Sequence, residues 1–466
     1  MDESYLKYIN MKRKYVALKQ NMAGGGKSKG SKTKSKTDGI SKSPDAKNKT
    51  AEHSIDIVEY LNKAPLSDIQ SNLLTIMSNT EYCDTVLGSG MMGEVYVSGV
   101  NKKMPVITSS KKRIKMKSVI KTAHTDPSND PSNILEIKII SGVLYVQCYK
   151  NITGEAIILS YLNKLWHEKR SPHLPYMIGY SCCNNKDRIS VNRIVTERHG
   201  LDKKIMFDMD GFSEDTFWHP AKDTNLLYNK FDSNLSTLSS LLQYIDLKSD
   251  PNNNNDGKVI LPNNQECDAI NLIDSICISY IHTAHLLSKQ SITPADMHFN
   301  NIFVQWLSKD SYIDDRPIGD VGYIEYKIRD KVLRIKTYGL LIKLGDVGSF
   351  IVHPRQDLYV LGQAADLEQN LQRDPDLFNY MTNPEYGVIW FLMNFKFGLP
   401  LSIYDRTIVS KILSTYPYNT IAHYKPFPYD AFEHLLSYED MLDFYKAYYV
   451  DMASDKESTV LIVEDN

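Results

Sequence analysis

The chain has 466 residues, of which 42% are hydrophobic and 10% aromatic, so it has the apolar content for a packed core and the length of two or three domains. Its formal net charge of -2 excludes an overall electrostatic bias towards nucleic acid or a membrane surface. The six cysteines contain no C-x-x-C pair, which argues against a zinc site or a disulfide framework and favours an intracellular location. No secretory signal is visible at the N-terminus, and the longest apolar run, residues 386–395, is too short for a membrane span, so we expect a buried helix there.

Residues 1–52 are predicted to form a basic low-complexity tail. From residue 22 onwards the tail consists mainly of Gly, Ser, Lys and Thr, so it cannot bury enough apolar surface to offset the entropy lost on ordering. Its lysines predict a weak, salt-sensitive attraction to nucleic acid or another polyanion, and a solvated tail without a specific partner is the alternative. Residues 53–79 have helical spacing of their apolar residues and predict a helical extension.

A glycine-rich turn follows between two strand-like runs. The pattern G-x-G-x-x-G-x-V spans residues 88–95. Glycines let a backbone approach phosphate groups closely and direct N–H groups at them. The candidate nucleotide contacts here are Gly88, Ser89, Gly90, Gly93 and Val95. The alternatives are an ordinary hairpin turn and a dinucleotide-binding fingerprint, which would require a helix to start at the last glycine.

Two charged residues after this turn are candidates for phosphate binding and its support. Lys121 ends the apolar pair Val119-Ile120, so we expect its stem in the core and its ammonium in a cleft, where it would neutralise nucleotide phosphates. An ordinary surface lysine is the alternative, because residues 111–117 are strongly basic. Glu155 lies in the first turn of a helix predicted over residues 152–166, where it either complements the helix dipole or orients Lys121.

The overall pattern predicts a strand-rich part up to about residue 198 and a mostly helical remainder. Residues 114–123 and 134–148 alternate as strands do, and a turn at residues 184–187 predicts a hairpin. The helical part is interrupted at residues 202–224 and 249–264, which we interpret as surface insertions.

The turn at residues 291–304 carries the spacing D-x-x-x-x-N in Asp296 and Asn301, followed by the apolar strand Ile302-Phe303-Val304. Phosphoryl transfer needs a carboxylate that accepts a hydroxyl proton beside an amide oxygen that binds a metal, and the strand would hold both groups still. This spacing is frequent in long chains, so its weight comes from the order of the other motifs.

Asp346 ends another apolar strand, in the sequence Gly345-Asp346-Val347-Gly348. We predict that its carboxylate ligates a Mg²⁺ ion that bridges the nucleotide phosphates, because this hard cation prefers oxygen ligands. A simple turn is the alternative. A hairpin between this strand and residues 302–304 favours the metal site.

In this order the motifs resemble those of the protein-kinase-like superfamily. The resemblance covers about residues 80–365 and implies an α+β, two-lobed fold, with a strand-rich lobe at residues 80–198, a helical lobe at residues 199–466 and ATP between them. It implies that Mg²⁺ is held by Asn301 and Asp346 and that Asp296 acts on the attacking hydroxyl. It also implies an adenine-binding hinge at Val195-Thr196-Glu197. By the same resemblance the catalytic residues are Asp296, Lys121 and Glu155.

The sequence departs from this family in its catalytic loop and in the segment after Asp346. The usual His-Arg-Asp is Pro294-Ala295-Asp296, and His298 replaces the usual lysine, so D-x-H-x-x-N looks more like aminoglycoside and choline phosphotransferases. His298 contacts the γ-phosphate or only braces the loop. A sequence similar to the helix after the activation segment starts at residue 357, only 11 positions after Asp346, and no Ala-Pro-Glu follows. This spacing predicts a nearly absent activation segment and no control by loop phosphorylation.

Three functional hypotheses remain open. The leading one is a divergent serine/threonine protein kinase that acts on protein hydroxyls. The chain is rich in Lys, Asn, Ile and Tyr, and in this it is similar to kinases of large DNA viruses. Such an origin would place the protein in the host cytoplasm or in a virion. The second is a small-molecule phosphotransferase of the aminoglycoside or choline kinase type. The third is a pseudokinase or scaffold that interacts through its basic tail.

Overall fold

A computed structural model describes most of the chain after residue 82. The described residues are 83–90, 93–98, 103–125, 135–140, 143–148, 152–184, 190–201, 205–208, 230–248, 257–294, 297–328, 331–355, 358–361, 384–399, 401–415, 436–450 and 460–464. All of them belong to one compact unit, Ile55–Asn466. The predictions for residues 1–52 and 53–79 lie outside the described residues, as do most of residues 202–224.

The first part of the described chain consists of strands around one helix. The elements are β1 Cys83–Gly90, β2 Gly93–Ser98, β3 Lys103–Ile107, β4 Arg113–Thr125, β5 Leu135–Ile140, β6 Val143–Cys148, α1 Ile152–His167, β7 Met177–Asn184 and β8 Ser190–Glu197. The hairpin predicted around residues 184–187 is present as antiparallel β7 and β8, and the described residues 135–140 and 143–148 form the antiparallel pair β5–β6.

An antiparallel sheet in the order β1-β2-β4-β8-β7, with β3 also paired to β4, dominates this part. Strand β4 has the two-residue period of a half-buried strand, since Ile114 and Met116 are buried while Arg113 and Lys115 are exposed. Helix α1 buries the residues that its 3.6-residue period places on one face, which are Ala156, Leu159, Leu162 and Leu165. The side chain of Asn163 bonds both the N–H and the carbonyl of Met177, and so fixes α1 to β7.

The chain then continues through short strands and two helices. The elements are β9 Ile205–Asp208, β10 Lys230–Ser233, α2 Leu238–Lys248, β11 Lys258–Ile260, β12 Glu266–Asp268, α3 Ala269–Lys289 and β13 Ile292–Thr293. Residues 257–264 are not a loose surface insertion, because β11 pairs with β12 and both Val259 and Leu261 are buried. Asp268 caps α3 by accepting the N–H groups of Ile270 and Asn271.

The prediction of a mostly helical remainder is wrong for the described residues between 302 and 361, where strands predominate beyond the two that were expected before Asp346 and at residues 302–304. The elements are β14 Ile302–Trp306, β15 Tyr312–Ile313, β16 Arg316–Pro317, β17 Tyr323–Ile328, β18 Lys331–Lys336, β19 Leu340–Leu344, β20 Ile351–Arg355 and β21 Leu358–Leu361. The expected hairpin between the two apolar strands is present as antiparallel β14 and β19. A long insertion that contains β15 to β18 separates these two strands along the chain.

The prediction of a helix starting at residue 357 is also wrong. Residues 358–361 form β21, which pairs antiparallel with β20 and parallel with β6. The sequence Leu-Tyr-Val-Leu contains a β-branched and an aromatic residue, which favour a strand when a partner strand is available. The sheet therefore has the order β13-β20-β21-β6-β5 and includes the chain that follows Asp346.

The remaining elements are α4 Pro384–Gly398, α5 Leu401–Tyr404, α6 Ile408–Ser414, α7 Tyr438–Asp443, β22 Tyr449–Val450 and β23 Val460–Glu464. Of these, helices α4, α6 and α7 pack against α3, while β22 and β23 join β18 and β17. The buried helix expected at residues 386–395 is confirmed, since the rings of Phe391 and Phe395 are fully buried in α4 and Phe391 stacks on Tyr280 of α3. Within the described ranges no helix combines the length and apolarity that crossing a membrane requires. The structure thus has mixed helix and strand content, and the two-lobed kinase-like arrangement stays a prediction.

Candidate active site

The ammonium of Lys121 lies between two carboxylates that come from distant parts of the chain. Its Nζ is 2.6 Å from Oε2 of Glu155 in α1 and 3.4 Å from Oδ1 of Asp346, which follows β19. The three residues sit on three separate elements, so their convergence is a property of the fold and not of local sequence. This is the contact that would let Glu155 orient Lys121.

Lys121 differs from its basic neighbours in where its side chain points. Lys111, Lys112 and Lys115 are exposed, whereas only 21% of the Lys121 side chain is exposed. In the sheet, Lys121 pairs with Val95 of β2 on one side and with Ile194 of β8 on the other. The interpretation of Lys121 as an ordinary surface lysine therefore does not fit the structure.

Electrostatics keep this lysine charged. Burial opposes the charged form of Lys121, but the carboxylates of Glu155 and Asp346 outweigh it and raise the pKa of Lys121 above its ordinary value. Burial raises the pKa of Glu155, and the nearby ammonium works against that rise. Two carboxylates thus meet one ammonium at this point, and carboxylate oxygens are ligands that suit a divalent cation.

The glycine-rich pattern forms the turn of the β1–β2 hairpin. The pairs are Gly88 with Val95, Ser89 with Glu94 and Gly90 with Gly93. The dinucleotide-binding alternative fails here, because strand β2 begins at Gly93 where that fingerprint requires a helix. Val95 of β2 is also paired with Lys121 of β4, so the glycine-rich hairpin lies directly beside the strand that carries the lysine.

Asn301 and Asp346 are brought side by side at the end of the β14–β19 hairpin. Asn301 ends a 3-10 turn, Phe299–Asn301, and its carbonyl accepts the N–H of Gly345 at 2.7 Å. Asp346 has φ 42° and ψ 50°, the left-handed region that few residues other than glycine adopt, and such backbone strain is common at functional sites.

The donor set at this point fits Mg²⁺. Among the described residues no group of three or more His, Cys, Asp or Glu side chains could hold a metal ion. Mg²⁺ is usually bound by one or two protein oxygen ligands together with substrate phosphates and water, so it needs no such group. The amide oxygen of Asn301 and the carboxylate of Asp346 supply two ligands of the right type.

The predicted catalytic residue Asp296 lies outside the described residues, together with residue 295. The chain on both sides of it is anchored. Thr293 of β13 pairs with Ile351, and Met297 is fully buried. A side chain at Gly387 would lie 2.5 Å from the carbonyl of Pro294, so α4 packs directly against the residues before the loop.

His298 lies next to the predicted metal ligands. It is half-buried, and its carbonyl accepts the N–H of Asn301 at 2.8 Å. This contact is made by the backbone and would form with any residue here, so both interpretations of the His298 imidazole stay predictions.

Glu197 does not have the role predicted for it as the adenine contact of the hinge. Its N–H already donates to the carbonyl of Tyr176 at 3.0 Å, and its side chain turns into the core, where Oε1 is 2.7 Å from Nζ of Lys343. Glu197 is 2% exposed and Lys343 is fully buried. The physical reason is that Glu197 is the last residue of β8. Its backbone groups therefore still belong to the sheet, and the alternation of side chains along the strand directs its carboxylate into the core.

His199 is a site residue that the sequence did not reveal. In the segment 197–201 the other four N–H groups are bonded, to Tyr176, Lys117, Val304 and Asn234, and that of His199 donates to no described residue. Its ring stacks on Phe303 of β14, with centroids 5.2 Å apart, and its buried Nδ1 has no hydrogen-bond partner in the described structure. Burial lowers the pKa of His199 to about 4, so the ring is neutral near pH 7. The only available signal was its position two residues beyond a strand end, which is too common to be diagnostic.

Phe303 connects His199 to the residues predicted to bind the metal. Its ring packs against Gly345, where an added Cβ would lie only 2.4 Å from the ring. Glycine is required at residue 345 for this close approach. The stacked pair His199–Phe303 therefore packs directly against the residue before Asp346.

The candidate site thus combines a glycine-rich hairpin, a charged triad, two residues predicted to bind a metal, and a stacked ring pair whose His199 N–H donates to no described residue. Its parts come from β1, β2, β4, α1, the segment after β8, β14 and the end of β19. Comparison with models of protein families and with curated proteins found no match to this chain.

Proposed function

We propose that this protein is an ATP- and Mg²⁺-dependent phosphotransferase of the protein-kinase-like type, which transfers the γ-phosphoryl group to serine or threonine hydroxyls of proteins. The observation that carries this proposal is the position of Lys121 between Glu155 and Asp346, at 2.6 Å and 3.4 Å. A lysine oriented by one carboxylate beside a second carboxylate is suited to hold a metal–polyphosphate complex.

In this proposal each group acts on a different part of the nucleotide. Lys121 neutralises the α- and β-phosphates, and Glu155 keeps the ammonium in place. Asn301 and Asp346 hold Mg²⁺, which when bound would neutralise the charge that develops on the phosphates. The hairpin at Gly88, Ser89, Gly90, Gly93 and Val95 covers the phosphates with backbone N–H groups. Asp296 accepts the proton of the attacking hydroxyl or orients it.

The segment after β8 is the part of the site that we expect to contact the adenine ring. The N–H of His199, which donates to no described residue, and the stacked ring pair His199–Phe303 would supply the hydrogen-bond donor and the flat aromatic surface that a purine ring requires. Because the imidazole is neutral, it does not add a charge against the aromatic base. We therefore place the adenine contact at His199 and not at Glu197.

The segment after Asp346 bears on the choice between a protein and a small-molecule acceptor. The small-molecule hypothesis rests on two features, the D-x-H-x-x-N spacing from Asp296 to Asn301 and a helix expected 11 positions after Asp346. In place of that helix the chain forms β20 and β21. The second feature therefore no longer favours a small molecule, and the catalytic-loop spacing remains its support.

The acceptor is tested with γ-labelled ATP and Mg²⁺ in the presence of a generic Ser/Thr-rich protein, aminoglycosides and choline. We expect label on protein and acid-stable phosphoserine or phosphothreonine. Label only on a small molecule would show that the protein is a phosphotransferase whose acceptor is a small molecule and not a protein. Absence of transfer together with absence of Mg²⁺·ATP binding would favour a pseudokinase or scaffold.

A further inference from the structure

A fully buried ion pair lies between the proposed adenine and phosphate sides of the site. Nζ of Lys343 in β19 is 2.7 Å from Oε1 of Glu197 at the end of β8, and 3.1 Å from the carbonyl of Leu174. The same carboxylate accepts the N–H of Tyr176 at 3.0 Å and the side-chain amide of Gln305 at 3.4 Å. Both ends of the pair are therefore hydrogen-bonded on more than one side.

The stability of the fold does not explain why charged residues occupy this place. Removing two charges from water costs several kcal/mol per ion, and an apolar pair of similar volume is often equally stable or more so. What a buried pair with several fixed partners provides is a defined geometry between the elements that carry it.

Those elements are the two that carry the opposite sides of the proposed nucleotide site. Lys343 is paired in register with Phe303, on which His199 stacks. The N–H of Gly200 donates to the carbonyl of Val304 at 2.8 Å, so the segment after β8 is docked onto β14 beside the ion pair. Along β19, Lys343 precedes Asp346 by only three residues.

We propose that Glu197 and Lys343 are positioning residues that hold the segment bearing His199 in register with β19, the strand that precedes Asp346. This inference rests on the proposed function, because ATP must contact both sides at once. A shift of the two elements would misplace the phosphates whenever the adenine is bound. Ligands that contact one side only, such as adenosine or inorganic triphosphate with Mg²⁺, do not depend on the register.

The test compares three ligands on a variant in which both charges are removed. In E197Q/K343M the new amide oxygen still accepts the Tyr176 N–H, and no unpaired charge is left in the core. The matched control is E266Q/K258M, the same chemical change in an ion pair at 3.1 Å whose side chains are 61% and 66% exposed. Should E197Q/K343M fail to fold, E197L/K343M, an apolar pair of similar volume, replaces it.

We expect the Kd of Mg²⁺·ATP to rise about 10- to 100-fold in the folded double variant, while the Kd values of adenosine and Mg²⁺·triphosphate each change by less than about threefold. The control variant should bind all three ligands like wild type. A double variant that binds Mg²⁺·ATP like wild type would show that the pair is only structural, and so would an equal loss of adenosine and ATP affinity. If wild-type protein binds no Mg²⁺·ATP, the proposed function itself is wrong and the inference falls with it.

Discussion

Replacing Lys121 by methionine separates the structural role of the charged triad from its binding role. The variant leaves Glu155 without its cation, and only 8% of that carboxylate-bearing side chain is exposed. At 2.6 Å and an effective dielectric constant of about 20, the lost attraction is about 6 kcal/mol. The net loss is smaller, because the variant no longer bears the cost of removing the ammonium from water. Breaking one partner of a buried pair typically costs about 3–5 kcal/mol net, which is the loss we expect near pH 8. Asp346 adds little, because its side chain is 39% exposed and water screens it.

This loss has a defined pH dependence. In Lys121→Met, burial raises the pKa of Glu155 with no ammonium to oppose it. A carboxyl group whose pKa is raised in the folded state favours folding most below its unfolded pKa, and that contribution disappears as the pH rises through the folded pKa. The variant should therefore lose the most stability at pH 8 and recover part of it at pH 5.

The measurement is urea unfolding at pH 5 and pH 8 for wild type, K121M, K121M/E155Q and the exposed control K258M. Neutralising Glu155 should restore most of the free energy of unfolding that K121M loses, whereas Mg²⁺·ATP binding should stay weak in both variants. A K121M protein as stable as wild type at pH 8, or a double variant that is less stable than the single one, would refute the coupling of Lys121 with Glu155.

Three further changes test other parts of the site and core. Asp296→Ala should lower turnover by about 10²- to 10⁴-fold with Mg²⁺·ATP affinity retained, and an unchanged rate constant would remove this residue from the mechanism. Gly345→Ala places a Cβ 2.4 Å from the ring of Phe303, so it should cost about 1–3 kcal/mol in urea unfolding and weaken adenosine binding. Normal adenosine affinity there would separate Phe303 from the adenine side. Burial lowers the pKa of His173 to about 3, so the unfolded state binds the extra proton and stability falls below pH 6.5. In His173→Asn the free energy of unfolding should decrease less as the pH falls below 6.5. An unchanged decrease would mean that other groups cause it.

The sequence predicts the local elements well where the pattern is periodic and the partner is close along the chain. The alternation around Lys121, the helix that starts before Glu155 and the β7–β8 hairpin are all visible in apolar spacing and turn residues. The contact between Lys121, Glu155 and Asp346 could be expected only from a family pattern, because it joins residues up to 225 positions apart. No local pattern encodes such a distance.

The sequence failed where tertiary partners decide the conformation. Residues 358–361 form a strand because β6 and β20 offer edges to pair with, and neither partner is evident from the tetrapeptide itself. Glu197 was assigned to the hinge by the family resemblance alone, and the sequence shows no sign that its side chain is buried against Lys343, 146 positions away. The insertion between β14 and β19 went unrecognised because β15 and β16 have only two residues each and the partners β22 and β23 of its longer strands lie more than 100 positions away along the chain.

The most direct test of the proposed chemistry is transfer of labelled phosphate from γ-labelled ATP with Mg²⁺, with wild type measured beside Asp346→Asn. Asp405→Asn is the matched control, since it makes the same change at an exposed residue far along the chain from the site. We predict that wild type and the control label a Ser/Thr-rich protein at the same rate and that Asp346→Asn does not. Equal transfer by all three proteins would contradict the metal-binding role of Asp346. No transfer by wild type would contradict the phosphotransferase itself.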